Sequence, residues 1–339
     1  MRHLLFLAIP VLATTSLAQI VVDGSADKAY GAPLGVQNTQ TQFGDANIAL
    51  LDWANGSEID VVSASIDAGK LYILCAGNIE SNWNKLDIFI DAVAGGQNRI
   101  LGNNADVDFN GLNRMGDDGT GNGLTFDASF AADFFFSFTC GNPGTGVLQT
   151  YVSFATMPTD GLGLGGFAGP GAAGAKGAIV TKAGFAAGLN NSNVLGVTGG
   201  FKGGDGAGVT TGIEIAIPLS QLGGYKSGDI KICAMINGGG HGYLSNQIMG
   251  GLGGGPNLAE PRLVNLEVIP GDQFVTLSSG GGSGCAADLN GDAIVDAADL
   301  AALLNVWDSD GSAGGDLSAD GTVDAADLAM LLNAWGACG

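Results

Sequence analysis

Two stretches of twenty residues near the C-terminus are nearly the same. DLNGDAIVDAADLAALLNVW, starting at Asp288, and DLSADGTVDAADLAMLLNAW, starting at Asp316, agree at 14 of 20 positions after a shift of 28. Self-similarity at so short a period requires a small duplicated unit in which each copy buries its apolar face against its neighbour. Each copy opens with a twelve-residue loop of alternating oxygen-bearing side chains, an arrangement that wraps a hard cation needing six to eight oxygens. At loop positions 1, 3, 5, 7, 9 and 12 the first copy offers Asp288, Asn290, Asp292, the carbonyl of Ile294, Asp296 and Asp299. The second offers Asp316, Ser318, Asp320, the carbonyl of Thr322, Asp324 and Asp327. Residues 285–339 hold ten Asp and neither Lys nor Arg, so the unit repels itself unless cations offset the charge, and two Ca2+ are expected. After each loop, Leu300, Leu303, Leu304 and Trp307, then Leu328, Leu331, Leu332 and Trp335, stand at i, i+3, i+4 and i+7. That spacing predicts a helix per repeat with both tryptophans packed in the core, in preference to a sugar-binding role for them.

Duplicated calcium loop-helix repeats with Asp at the twelfth loop position resemble type I dockerin domains. The resemblance covers about Cys285 to Gly339. It implies a small all-α domain with two EF-hand-like sites that docks on a cohesin-like protein or cell-surface scaffold. Contacts would fall at Ala297, Ala298 and Asn305 in one repeat and Ala325, Ala326 and Asn333 in the other. Two departures from the family pattern stand out. Ala293 occupies the sharp-turn position where Gly is usual, and the alanine pairs replace hydroxyl-bearing residues. The two chain ends of such a pseudo-twofold unit lie close together, so a Cys285–Cys338 clasp is the expected pairing. For Cys75, Cys140 and Cys233 a second bridge and buried free thiols remain equally open.

The other end of the chain points to export. Arg2 and His3 precede an apolar run from Leu4 to Ala13, with Ser16 and Ala18 before Gln19. This pattern reads as a signal peptide over residues 1–18, which makes the product secreted, extracellular or cell-surface, and disulfide-permissive. No later stretch is apolar enough for a transmembrane segment. The 33 acidic residues against 12 basic give a net charge of −21, which repels nucleic acid and anionic lipid headgroups. Only five of the acids are Glu, and His241 is the sole histidine beyond the leader. His241 has no companion nucleophile signature and reads as a loop residue, and no glutamate lies in a hydrolase motif.

A Gly/Ser spacer, 278–284, separates the tail from residues 19–277. This longer region carries short runs ending in Gly, Asn or Asp, among them Ile59 to Ile66, Leu71 to Ala76, Leu86 to Asp91, Phe134 to Thr139 and Val147 to Phe154. Such runs predict a mainly β fold, a sandwich. The Gly/Ala-rich stretch at about 161–212 has little periodicity and reads as a long insertion or mobile hairpins. VDGSADKAY, Val22 to Tyr30, and GIEIAIPLSQLG, Gly212 to Gly223, with LYILCAGN and LDIFID between them, resemble the family-nine carbohydrate-binding and DOMON-like sandwiches, which are jelly-roll-like. The resemblance implies a saccharide ligand. Trp83, between Asn82 and Asn84, is the exposed platform candidate, against a rim-packing role, while Trp53 is expected to be buried. A third acidic loop, with Asp106, Asp108, Asn110 and Asp117, imitates a calcium site or forms a polar Asx-rich turn. The resulting expectation is a secreted non-catalytic protein that binds polysaccharide and docks through calcium. The alternatives are a polysaccharide-degrading enzyme carrying the same tail and a structural adhesion component.

Overall fold

The computed structural model describes residues 20–42, 56–141, 148–173, 176–182, 184–193, 206–278, 287–290, 294–309, 315–318 and 320–337. The expected leader, most of the spacer, Trp53, Asp292, Ala293, Cys285 and Cys338 lie outside them. Among the described residues no helix is long and apolar enough to cross a membrane.

The region before the spacer is mainly β and forms two antiparallel sheets. One contains β1 (Gly35–Val36), β2 (Glu58–Asp67), β3 (Lys70–Asn78), β10 (Gly212–Pro218), β9 (Phe185–Asn190) and β8 (Lys176–Lys182), in that spatial order. The other runs β12 (Leu244–Ile248), β11 (Ile230–Asn237), β4 (Asn82–Asp91), β5 (Phe134–Gly141), β6 (Leu148–Thr156) and β7 (Gly165–Ala173), with β13 (Val275–Leu277) also on β11. Period-two patterning explains how they face each other. Leu86, Ile88 and Ile90 of β4, Phe134, Phe136 and Phe138 of β5, and Ile230, Ile232 and Ile236 of β11 share a buried cluster with Ile59, Val62, Ile73 and Ile215 of the opposite sheet. Phe136 is 1% exposed, and its truncation to Ala costs about 3–5 kcal/mol.

Within the Gly/Ala-rich stretch the described residues form β7, β8 and β9, which join both sheets, β8 and β9 as a hairpin. Small residues conceal these strands because they give little apolar alternation, and Ala168, Phe185, Ala187 and Leu189 reach the core.

The two segments that suggested the sandwich touch each other. Glu214 on β10 accepts N–H bonds from Asp23 (2.8 Å) and Gly24 (2.9 Å) and the Tyr30 hydroxyl (2.6 Å). Burial pushes the Glu214 carboxyl up, partly offset by these donors. Gly24 has φ +82°, and a Cβ there would lie 2.3 Å from the Asn190 nitrogen, so only glycine fits this turn.

A second core lies outside the larger sheet. The excursion between β4 and β5, which includes α1 (Gly111–Arg114), lays Ile100, Leu112, Met115 and Phe126 over Phe89, Phe135 and Met235. Cys75, Cys140 and Cys233 are buried free thiols, and burial pushes each upward, Cys75 to about 12.

The tail carries α2 (Ala297–Asn305) and α3 (Ala325–Asn333) around a small core of Ala287, Val295, Leu303, Val323 and Leu331. Its two short strands, β14 (Ile294–Val295) and β15 (Gly336–Ala337), pair antiparallel. The matching contact in the other repeat joins Val323 to Asp308 and Ser309 through backbone bonds of 2.9 and 3.0 Å.

Candidate functional site

The outward face of the larger sheet changes character along its strands. Phe89, Phe135 and Ala155 lie under the second core, whereas the positions farther along are Asp87, Ser137 and Ser153, then Lys85, Thr139 and Tyr151. The register pairs Asp87 with Ser137 and Ser137 with Ser153, and likewise Lys85 with Thr139 and Thr139 with Tyr151. Where the covering layer ends, a cavity of about 680 Å³ opens, within the range of small-ligand sites.

Aromatic rings edge this cavity. Trp83 sits at an irregularity in the β4 ladder with φ +75°, which turns its side chain outward to 42% exposure. Its ring lies over Gly141, where a Cβ would come within 2.4 Å of the indole. Tyr151 stands 5.8 Å from Trp83, and Phe167 stacks 6.5 Å from Tyr151. Trp83 thus has the exposure expected of a platform residue.

The floor is a buried ion network. Lys85 Nζ donates to Asp108 Oδ2 and to Thr139 Oγ1, both at 2.8 Å. His241 lies between two carboxylates, with Nε2 2.7 Å from the same Asp108 oxygen and Nδ1 3.1 Å from Asp87 Oδ2. Burial alone would lower the His241 pKa, but the Asp87 charge and the bonds to both carboxylates push it up to about 9. Burial would raise Asp108, yet the hydrogen bonds and charges of His241 and Lys85 hold it at about 2. At neutral pH the imidazolium therefore donates from both nitrogens.

Asp108 begins a run of three residues in left-handed backbone, with φ +49° for Asp108, +55° for Phe109 and +64° for Asn110. Such residues cost on the order of 1 kcal/mol or more each, so their surroundings must hold them. Asp108 is tied by Lys85 and His241, and Asn110 accepts from Asn113 at 2.8 Å. Gly111 follows beneath the imidazole, where a Cβ would lie 2.1 Å from the ring.

His241 lies in the loop between β11 and β12, as expected, but its buried side chain links β4 to the Asp108 turn. The oxygens of the acidic loop, read as either a third cation site or an Asx-rich turn, have protein partners of their own. Asp108 faces two cations, Asn110 holds Asn113, and Asp117 caps Gly119 and Gly121 while lying 3.6 Å from Arg99. Asp106 is exposed at the cavity wall. Arg114, at the ninth position of that loop, makes a paired contact with Glu260 at 2.6 Å for both bonds.

In the tail, Asp296 and Asp324 cap α2 and α3 by accepting from Ala298 and Ala326 at 2.7 Å. Asp299 and Asp327 complete reciprocal capping boxes, a local signature that the calcium reading of DAAD passed over. Both carboxylates are fully buried. Asp299 gathers N–H bonds from Leu289, Asn290 and Asp296, and Asp327 gathers them from Ser318 and Asp324. These donors lower the Asp327 pKa. Asp316 accepts from Ser318, Asp320 and Gly321, which turns it toward its own loop. Among the described residues no group of three His, Cys, Asp or Glu side chains forms a metal cluster. The donor set nevertheless fits a hard cation, since a buried carboxylate shares the first loop with the Asn290 amide and the second with the Ser318 hydroxyl, each beside main-chain carbonyls, and no tail residue is basic. Ala297, Ala298, Asn305, Ala325, Ala326 and Asn333 are all exposed.

The tail tryptophans depart from expectation. Trp307 is 37% and Trp335 49% exposed, with Leu304 and Leu332 about half exposed beside them. Along the apolar stripes only Leu303 and Leu331 are fully buried, and Trp307 and Trp335 lie past the helix ends at Asn305 and Asn333. Comparison of the chain with protein families, curated proteins and solved structures gives no match.

Proposed function

We propose that the chain is an exported, non-catalytic protein whose sandwich binds polysaccharide and whose calcium-loaded tail docks on a cohesin-like or cell-surface scaffold protein. The observation that carries the saccharide reading is the Trp83, Tyr151 and Phe167 strip beside a polar floor. Flat rings stack on the apolar faces of sugars while hydroxyl, ammonium and carboxylate groups take up their hydroxyl edges.

A binding role suits the network better than acid-base catalysis. His241 stays protonated to about pH 9 and Asp108 stays ionised to about pH 2, so neither exchanges a proton readily near neutrality. In the tail, calcium would be held by Asp288, Asn290, Asp292, the Ile294 carbonyl, Asp296 and Asp299 in one loop. Asp316, Ser318, Asp320, the Thr322 carbonyl, Asp324 and Asp327 would serve the other. Its contribution when bound is to neutralise the carboxylates and fix the loops.

The test is retention of the full chain on insoluble polysaccharides with calcium present. Retention should be lost in Trp83→Ala without a large fall in melting temperature. Release of reducing ends by the wild-type protein would overturn the non-catalytic reading, and failure of a cohesin panel to bind would remove the docking partner.

A further inference from the structure

Phe109 is the most exposed large apolar side chain described, at 102% of its reference area. It is also the middle residue of the left-handed run that Asp108 opens and Asn110 closes. Exposure and backbone strain rarely coincide in a residue that packs against nothing of its own chain, and strained backbone concentrates at ligand clamps. Phe109 borders the same cavity as Trp83, Tyr151 and Phe167. The turn that presents it is anchored below by the Asp108 contacts with Lys85 and His241.

We infer that Phe109 is a ligand-gripping residue, closing the cleft over a neutral polysaccharide chain that lies on the Trp83, Tyr151 and Phe167 strip, and that the cleft rejects polyuronates. The inference rests on the saccharide reading above and adds the second wall of the site and the ligand class. The charge placement sets the class. Among the described residues Lys85 is the only basic one at the cavity wall, and its ammonium is already paired with Asp108 at 2.8 Å. Asp106 is exposed on the same wall, and the whole chain carries −21. A sugar carboxylate entering here meets no unpaired cation among the described residues but does meet the like charge of the exposed Asp106, so it is repelled. A neutral chain loses nothing to that field and keeps both aromatic contacts.

The experiment measures binding of the full chain, with calcium, to soluble neutral β-glucan, xylan and glucomannan, and to polygalacturonate and alginate. A neutral probe should bind while the polyuronates do not, at low as well as moderate salt. Phe109→Ala should weaken that binding roughly tenfold with an unchanged melting temperature, because the ring packs on nothing. Phe109→Gly, which relaxes the left-handed position, should raise the melting temperature and lose the same affinity. Asp108→Asn should weaken binding with the aromatic rings intact, by loosening the turn, and the loss should be smaller in Asp108→Asn than in Phe109→Ala. If Phe109→Ala binds like wild type while Trp83→Ala fails, the gripping role is wrong and the saccharide reading stands. Preference for a polyuronate overturns the ligand class and likewise leaves that reading in place. No binding to any probe overturns both.

Discussion

The sandwich and the tail handle acidic residues in opposite ways. In the sandwich, carboxylates go inside against cations or are forced to hold protons. Asp87 and Asp108 share His241 and Lys85, while Glu58 and Asp60, nearly fully buried, are pushed up to about 9 and about 7 by desolvation, with the Asp60 charge adding to the shift at Glu58. In the tail no basic side chain exists, and carboxylates rest on main-chain N–H groups. Apolar area differs as sharply, with three clusters in one and five buried apolar residues in the other. A large core can carry unfavourable acids as a local cost, whereas a small one depends on what binds its acids.

Calcium withdrawal should break this contrast open most visibly. A chelator is expected to abolish the tail's helical circular dichroism and leave the sandwich melting transition in place. A tail transition insensitive to chelator would mean that five buried side chains suffice.

Acidity should act with both signs in the sandwich, where Asp108 is also held low, and with one sign at Asp327 in the tail. Glu58 and Asp60 have folded pKa values above their unfolded ones, so their contribution is full below about pH 4. It is lost as pH rises through about 7 and about 9. His241 has the same sign, with its contribution lost as pH rises through about 9. Asp327 is lowered, so its contribution is present above the usual Asp range and is lost as pH falls. Calorimetric scans from pH 5 to 9 should show the sandwich transition falling with pH while the tail transition holds. Parallel slopes would remove the distinction.

Much of the sandwich was readable because alternation is strong where both faces have a defined neighbour. Leu86, Ile88 and Ile90 against Lys85, Asp87 and Phe89 mark β4 without help. The strands β7 to β9 were not readable, since glycine and alanine carry no period. Trp83 was legible from its asparagine neighbours. Asp108 and His241 were not, because they lie 133 residues apart and meet only through the fold. The tail stripe was read correctly as helix for its leucines and wrongly for its tryptophans, which lie past the helix ends and outside the core, because periodicity marks a face and neither where the helix stops nor what covers it.

Within the sandwich, Gly111→Ala tests how firmly the covering layer is held. The added methyl meets the His241 ring at 2.1 Å, so a loss of about 2 kcal/mol is expected in denaturant melts, accompanied by weaker ligand binding. An unaffected protein would mean that the imidazole can move aside.

The smallest effect should come from the tail tryptophans. With Trp307 and Trp335 largely outside the core, Trp307→Ala and Trp335→Ala should each change stability by less than about 1 kcal/mol in the calcium-loaded tail. A loss of about 3 kcal/mol, as for a buried ring, would place them inside once the loops are filled.

The strand pairing in the tail makes its two repeats mutually dependent. The exit of the first loop, Ile294–Val295, is completed by Gly336–Ala337 beyond the second helix, and Val323 of the second loop is completed by Asp308 and Ser309 beyond the first. Each repeat finishes the other, like two hands each closing the other's cuff. A single repeat has no partner for its loop, so a lone copy has no independent folded form, and any surface the pair presents to a scaffold is present entire or not at all.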